Sequence, residues 1–594
     1  MKQINLLLKL KAIVPVAERK GVYFLFLGVI VSSVVEALGI GIILPFISIV
    51  NDPKIINKYP RAIYFLEQIG VTGINNIVIT LSALILFAMC TKNLYLFYFM
   101  KYQHHFIHHS TAKLSVNLLE KYLQADYLYH IKTNTSELLR NIKTTVPLIF
   151  SSVLGPMITL TSEVLLMLFV LSLLMIVEPV ATLVVVVLFG FVASIYYRSV
   201  KKKSRYYGEL RIRHEGETFK WINQSLGGIR EVRLLGREAF FTNQCGFHYN
   251  QLADIAVYEH LISQAPRLFL EALMVATLMV IIIVLMLQGS SNAHILPILA
   301  LFGAASFRLM PSANRILSSV ITLKFTVPAI DLIYNNMAEL ESKYNKLHPN
   351  SATNENIELN DAIYLKNITF SYPETKDNAL ENISLRIPKN KSVGVMGPSG
   401  SGKTTLLNII LGLLKPTKGH IFIDQVDMYD NLRGWQMMIG FVPQDIYLTD
   451  DSIKRNVAYG LDDKDIDESL VWKALEMAQL DAFIKSLPDG LHTFVGERGV
   501  KVSGGQRQRI GIARALYHNP KVLIFDEATS ALDIDTEREV RQSIESLANK
   551  KTIIIVAHRL STIEKCDIVY KLERGTIYET SFQNTATVSM QSDN

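Results

Sequence analysis

Apolar and polar stretches alternate on two different length scales along this chain, and the change of scale falls near residue 355. Before it, apolar runs are long. Crossing about 30 Å of hydrocarbon takes about 20 mostly apolar helical residues, and the runs 21–49, 77–100, 147–177, 180–199, 268–288 and 294–312 meet that need. The third and fourth nearly touch and are divided at Glu178-Pro179, where proline cannot continue a helix normally. The fifth and sixth are divided by the polar turn Gln288–Ala293. After residue 355 the runs shorten. Ala362–Ser371, Ser392–Met396, Val522–Phe525 and Thr552–Val556 read as strands, and Thr404–Leu413 and Gln506–Tyr517 as helices between them. Strands alternating with helices predict an α/β domain with a largely parallel sheet. The pattern therefore predicts a membrane all-α six-helix bundle over 1–335, a linker over 336–357, an α/β domain over 358–580 and a polar tail over 581–594 expected to be disordered. No internal repeat or low-complexity tract interrupts it.

Charge orients the bundle. Lys2, Lys9 and Lys11 precede the first run, and the stretch 101–146 carries Lys101, Lys113, Lys121, Lys132, Arg140 and Lys143. The stretch 200–267 is richer, from Lys201-Lys202-Lys203 through Arg205, Arg211, Arg213, Lys220, Arg230, Arg233 and Arg237. The turns at 178–179 and 288–293 hold no lysine or arginine. Basic loops stay inside, so both termini and the α/β domain are expected in the cytoplasm of a multi-pass protein. Between the first two runs, residues 55–69 mix Ile55, Tyr59, Tyr64, Phe65 and Leu66 with Lys54, Lys58 and Arg61. An interfacial helix on the outer leaflet and a loop capping the bundle fit equally.

Composition adds little beyond this. The formal charge is +7 over 594 residues, and its placement matters more than its size. The three cysteines, Cys90, Cys245 and Cys566, are far apart and suggest neither a disulfide framework nor a cysteine zinc site. His104, His105, His108 and His109 share helix faces in pairs, but no acidic or cysteine partner stands nearby, so a solvated helix surface is the preferred reading. The first run is too long for a signal-peptide core, shows no clear cleavage site, and is expected to remain as an anchor.

Candidate chemistry lies in the α/β half. Gly397, Pro398, Ser399, Gly400, Ser401, Gly402, Lys403 and Thr404 match the phosphate loop GxxxxGK[ST] between a strand and a helix. Small residues let backbone N–H groups close around phosphates, and the helix N-terminus adds positive potential. Lys403 is expected on the β- and γ-phosphates and the Thr404 hydroxyl on Mg²⁺. Val522–Phe525 is a buried strand ending in Asp526-Glu527. Asp526 is then the second magnesium residue, and Glu527 the general base that polarises the attacking water.

Val502-Ser503-Gly504-Gly505-Gln506, upstream of that strand, resembles the ABC signature LSGGQ with valine in the first position. Other matches follow in order. Tyr372 resembles the adenine-stacking aromatic, and Gln444 in Phe441-Val442-Pro443-Gln444 resembles the Q-loop. Gly496-Glu497-Arg498-Gly499 resembles the exporter X-loop, Ser530-Ala531-Leu532-Asp533 the D-loop, and His558 the switch histidine. The chain thus resembles an ABC exporter half-transporter of type I architecture. The resemblance implies ATP and Mg²⁺ as cofactors, and Glu527, His558 and Gln444 as catalytic residues. It also implies Thr404, Gln444 and Asp526 on the metal, and Tyr372, residues 397–404, Thr405 and Ser503–Gln506 on the nucleotide. In that family the signature serves the opposite ATPase domain, so a second copy is implied, most simply as a homodimer. Coupling helices are expected near Asp126–Ile131 and Gly236–Phe241. Six spans exclude a soluble ATPase acting on nucleic acid.

Cargo rests on fewer residues. Arg308 and Arg315, seven apart, lie on one helix face, and Arg267 precedes the apolar core of the fifth run. Cations at membrane depth face protein or an aqueous path, and the guanidinium suits a diphosphate through paired charge-assisted bonds. Structural pairing competes with that role, since Glu271 follows Arg267 by four residues. Arg308–Arg315, with Ala265-Pro266-Arg267 and the 55–69 segment, resembles the Pgl-type flippases of bacterial protein glycosylation. That resemblance implies a polyprenyl-diphosphate-linked oligosaccharide moved across a bacterial inner membrane, with Arg267, Arg308 and Arg315 on the diphosphate and 55–69 on the polyprenyl chain. A multidrug or lipid exporter with an apolar cavity is the alternative.

Overall fold

The computed structural model describes residues 6–15, 18–41, 74–287, 292–347, 357–373, 375, 377–527, 549–557 and 560–579, with isolated positions between 538 and 547. The chain divides into two compact units, Met1–Ala125 with Tyr129–Lys346, and Asp126–Leu128 with Leu347–Asn594.

The first unit is helical. A short helix α1 (Leu6–Ile13) leads to α2 (Arg19–Gly41) and the long α3 (Ile74–Leu123). Short helices α4 (Tyr127–Lys132) and α5 (Thr135–Arg140) precede α6 (Gly155–Val177), which leads to α7 (Pro179–Gly227). Then come α8 (Ile229–Leu234), α9 (Glu238–Leu287) and α10 (Asn292–Leu347). Among the described residues five helices are long and apolar enough to cross a membrane. The remaining run, 21–49, is described only as far as Gly41, and 55–69 lies outside the described residues. At 1.5 Å per residue a 50-residue helix spans about 75 Å, so α3, α7, α9 and α10 extend far beyond the hydrocarbon into their basic or polar segments.

Two breaks are local in cause. Val177 ends α6 and Pro179 begins α7, because Glu178 adopts φ −142° and proline is tolerated at a helix start. Between α5 and α6 the helix widens into π turns at Asn141–Thr145 and Phe150–Leu154. The first adjoins a buried polar knot. Arg140 donates to the Asn141 side-chain oxygen (2.9 Å) and to the Ile212 carbonyl (3.3 Å), while Asn141 donates to the Tyr122 hydroxyl (3.0 Å). Two apolar clusters hold the unit, one around Leu114, Leu118, Phe150 and Ile333, the other around Leu166, Val185, Leu270 and Leu309.

The candidate coupling segments have distinct structures. Asp126–Ile131 overlaps α4. Gly236–Phe241 instead forms a left-handed turn at Gly236 (φ +61°) followed by the start of α9, and the short helix there is α8, which ends at Leu234, just before that turn.

The second unit contains two sheets. β1 (Ala362–Phe370), β2 (Leu380–Pro388), β4 (Lys418–Ile423) and β5 (Val426–Asp427) form an antiparallel sheet in the order β2-β1-β4-β5. The other sheet contains β3 (Ser392–Met396), β6 (Ile439–Val442), β7 (Val522–Asp526), β8 (Thr552–Ala557), β9 (Ile568–Glu573) and β10 (Thr576–Glu579). Its order is β10-β9-β3-β8-β7-β6, parallel except for β10. All six residues of β8 are buried, as a central parallel strand covered on both faces requires. Helix α11 (Lys403–Ile410) follows β3, and α12 (Gly504–Leu516) precedes β7.

Candidate functional site

The phosphate loop joins β3 to α11. Gly402 caps α11 at φ +105°, and a Cβ there would lie 2.7 Å from the Ala379 carbonyl oxygen. Only glycine satisfies both the left-handed backbone and that approach. Lys403 is buried, its ammonium donating to the carbonyls of Gly397 (2.8 Å) and Pro398 (3.0 Å). Burial pushes its pKa down, and the nearby charges of Glu527 and Asp526 pull it back. The lysine therefore curls the loop around itself, poised to exchange two carbonyls for a stronger acceptor. Ser401 Oγ is buried and has no hydrogen-bond partner among the described residues, the kind of group a ligand satisfies. Thr404 is exposed, whereas Thr405 is buried with its hydroxyl 3.2 Å from the Tyr372 hydroxyl. Tyr372 stands edge-on to Phe370 at 5.0 Å, which fixes its ring just beyond β1.

β8 separates β3 from β7, so the loop and the acid pair emerge about 10 Å apart at the same sheet end. Asp526 closes β7 opposite Val556. Glu527 takes φ +46° and donates its N–H to the Val556 carbonyl (2.8 Å), turning its side chain out of the strand direction. Gln444 Nε2 donates to Glu527 Oε2 at 3.0 Å. Thr404, Asp526 and Gln444 together offer oxygen donors of the kind Mg²⁺ selects. A buried unpaired hydroxyl, a glycine-walled cradle and an oxygen donor set thus all fit a magnesium nucleotide.

Ser503 caps α12 in a reciprocal box, its hydroxyl accepting from Gln506 N–H (3.2 Å) and its own N–H donating to Gln506 Oε1 (2.9 Å). Gly504 is exposed, and a Cβ placed on it would meet nothing within 4 Å. The 496–499 segment is a tight turn with Arg498 at φ +53°. His558 and 530–533 lie outside the described residues.

In the membrane unit each candidate arginine has an acidic partner. Arg267 pairs with Glu271 (2.9 Å), as its spacing suggested, and Arg308 with Glu36. Arg315 Nε lies 2.6 Å from Glu163, whose other oxygen accepts from Ser312 at 2.7 Å. Glu36, Glu163 and Ser312 were missed in the sequence. The available signal was a lone carboxylate inside an apolar run, which a membrane tolerates only with a partner. His104 stacks on His108 and His105 meets His109 at a tilt, and among the described residues no group of three potential ligands is placed to hold a metal.

A strand–loop–helix phosphate cradle facing a strand-end acid pair, together with long apolar helices, defines a membrane-bound P-loop ATPase. Residues 380–530 match the ABC transporter family model, and 22–302 match the ABC transporter transmembrane region. The chain is 32% identical over 475 residues to an ATP-dependent lipid A-core flippase of Ralstonia nicotianae, covering 78% of each. It is 42% identical over 214 residues to a multidrug resistance ABC transporter ATP-binding and permease protein of Lactococcus lactis, 36% of each. The solved structure of a bacterial Atm1-family ABC exporter with ATP bound shares the fold, with TM-score 0.73, 23% identity and 96% of each chain covered. The protein belongs to the ABC transporters, as an exporter half-transporter with the type I fold. It hydrolyses ATP with Mg²⁺ to drive transport.

Proposed function

We propose that two copies of this chain flip a polyprenyl-diphosphate-linked oligosaccharide from the cytoplasmic to the outer leaflet of a bacterial inner membrane. The N-terminus and the ATPase domain face the cytoplasm in this reading, with domain limits 1–335, 336–357 and 358–580. In the ATPase, Lys403 and the N–H groups of Gly397 and 399–405 hold the phosphates, Tyr372 stacks on the base, and Thr404, Asp526 and Gln444 hold the metal. A Mg²⁺ held by these residues would supply neutralisation of the charge that develops on the phosphate oxygens. Glu527 accepts the proton of the attacking water, oriented by its bond to Gln444, and His558 completes the catalytic set. Residues 503–506 of one copy present the α12 N-terminus to the γ-phosphate held by the other.

The observation that carries the cargo reading is the arginine series at 267, 308 and 315, each on a carboxylate. Such pairs hold each guanidinium on a carboxylate, and a diphosphate offers more acceptor atoms than a carboxylate does. The relative named a lipid A-core flippase supports a flipped lipid as cargo, whereas the multidrug relative favours the second reading, a drug or lipid exporter. The test is purified protein in liposomes, comparing a polyprenyl-diphosphate glycan with a cationic drug. Glycan translocation is expected, and replacing Arg308 and Arg315 together by glutamine should impair it more than basal ATP hydrolysis. Intact glycan flipping in that double variant would remove the arginines as diphosphate contacts. Drug transport without glycan transport would establish the second reading.

A further inference from the structure

Within the membrane unit an apolar cavity of about 300 Å³ opens between α6, α7, α9 and α10. Met167 and Leu171 line it from α6, Phe189 and Gly190 from α7, and Leu309 and Ala313 from α10. The ion-paired cluster described above shares two of these helices. Glu163 lies one turn before Met167 on the same face of α6, and Ser312 and Arg315 are interleaved with Leu309, Ala313 and Ile316 on α10. Glu163 is 7% exposed and Ser312 fully buried, whereas 44% of the Arg315 side chain remains exposed. The contact to Glu163 is made through Nε. A fixed carboxylate therefore aims a guanidinium whose remaining edge reaches the surface.

Depth gives this pairing a direction. Fourteen residues separate Glu163 from Val177, about 21 Å of helix. With Val177 at the outer face, as proposed above, the ion pair lies past the midplane of a roughly 30 Å hydrocarbon layer, toward the cytoplasm. From Glu163 the α6 lining continues toward Val177, and the α10 lining runs from Leu317 and Ile316, just past Arg315, back through Ala313 to Leu309. Head-group chemistry thus lies toward the cytoplasmic end of the cavity, with most of the apolar lining above it. That is the polarity of a lipid standing in the cytoplasmic leaflet.

We infer that this cavity holds the hydrocarbon chain of an isoprenyl diphosphate whose anionic head pairs with Arg315, within a single copy of the chain. Glu163 and Ser312 are positioning residues that hold the guanidinium in place. The inference rests on the cargo reading above and deepens it by assigning the chain's slot.

The probe is an isoprenyl diphosphate carrying a photoactivatable group on its chain, added to the full-length protein in phosphatidylglycerol-containing vesicles. Labelled peptides should map to 163–193 and 309–317. A Cβ at Gly190 would meet no atom within 4 Å, so Gly190→Leu projects into open space and should weaken labelling at least tenfold. Arg315→Gln should weaken labelling by the diphosphate and leave that by the matching isoprenyl alcohol unchanged. Phe191→Ala, on an exposed neighbouring face outside the lining, should change neither; the thermal melts of all variants report folding. Labelling elsewhere, or undiminished in a folded Gly190→Leu variant, overturns the inference, as does equal competition by excess phosphatidylglycerol. Correct labelling without any glycan transport would leave the slot intact and sink the cargo reading instead.

Discussion

Glu527 shows how much one residue's backbone can matter. Its left-handed φ and its N–H bond to Val556 bring the carboxylate to Gln444, a geometry that a glutamine can share while losing the ability to accept a proton. Glu527→Gln should lower steady-state ATP hydrolysis by about 10²–10⁴-fold, the range of a general base, while ATP still drives dimer closure measured by cross-linking. Unchanged turnover would remove Glu527 from that role. Arg315 and Glu163 make a second residue-scale test. Loss of one partner leaves a charge in a low-dielectric bundle, so the single variants Glu163→Gln and Arg315→Gln should each destabilise the protein, and the double variant should lose less stability than the sum of the two. A coupling of about 0.5–3 kcal/mol is expected from thermal or denaturant unfolding, and additive effects would show that the pair does not interact. The sequence made the arginines legible because a cation in an apolar run is conspicuous. The partners of Arg308 and Arg315 were not, because Glu36 and Glu163 are far away in sequence and only helix packing brings them close.

Elements were legible where the pattern was local. Ser392–Met396 is a strand with the predicted ends, and Val522–Phe525 and Thr552–Val556 each run one residue longer. α11 begins one residue earlier than expected and stops at Ile410, because the chain turns at Gly412 (φ +69°). The antiparallel strands β2 and β4 and the π turns near Arg140 were not read, since their signals are alternation with charges in one case and tertiary packing in the other. One edge of the parallel sheet is fastened by a side chain. Asp567 accepts from the Ser392 N–H (2.8 Å), the Ser392 hydroxyl (2.7 Å) and Lys391 (2.9 Å), joining the starts of β3 and β9. Burial opposes its ionisation, but the Ser392 N–H, Lys391 and the Ser392 hydroxyl outweigh it and hold the carboxyl pKa low. A depressed folded pKa means stability fully present above the unfolded value of about 3.9 and lost as pH falls through the folded one. Asp567→Asn should cost about 1–3 kcal/mol at neutral pH, nearer the low end because 35% of the side chain is exposed. The gap between wild-type and variant melting curves should close below about pH 4; a gap independent of pH would mean the clamp acts by shape and not by charge.

At the scale of the whole molecule, the sequence announced an incomplete machine: one phosphate loop and one signature in a chain whose family needs both at a single nucleotide. The α12 N-terminus makes that requirement testable. Its Ser503 hydroxyl accepts from the Gln506 N–H and keeps its own proton to donate, so that hydroxyl and the open N–H face around Gly504 are the groups left to meet an anion. Gly504→Asp introduces a carboxylate at the first turn, which favours the helix itself and meets no neighbouring atom at its Cβ, yet repels a phosphate. Lys403→Ala empties the cradle at the other half-site. Homodimers of either variant contain two broken sites. In a mixed dimer with composite sites, one site combines both lesions and the other combines an intact loop with an intact signature. Co-purified mixed dimers, isolated with two affinity tags, should therefore recover well above either homodimer, about tenfold or more given the loss expected from misplaced phosphate-binding groups. If each chain instead completed its own site, every site in the mixed dimer would carry one lesion and hydrolysis would stay at the homodimer level.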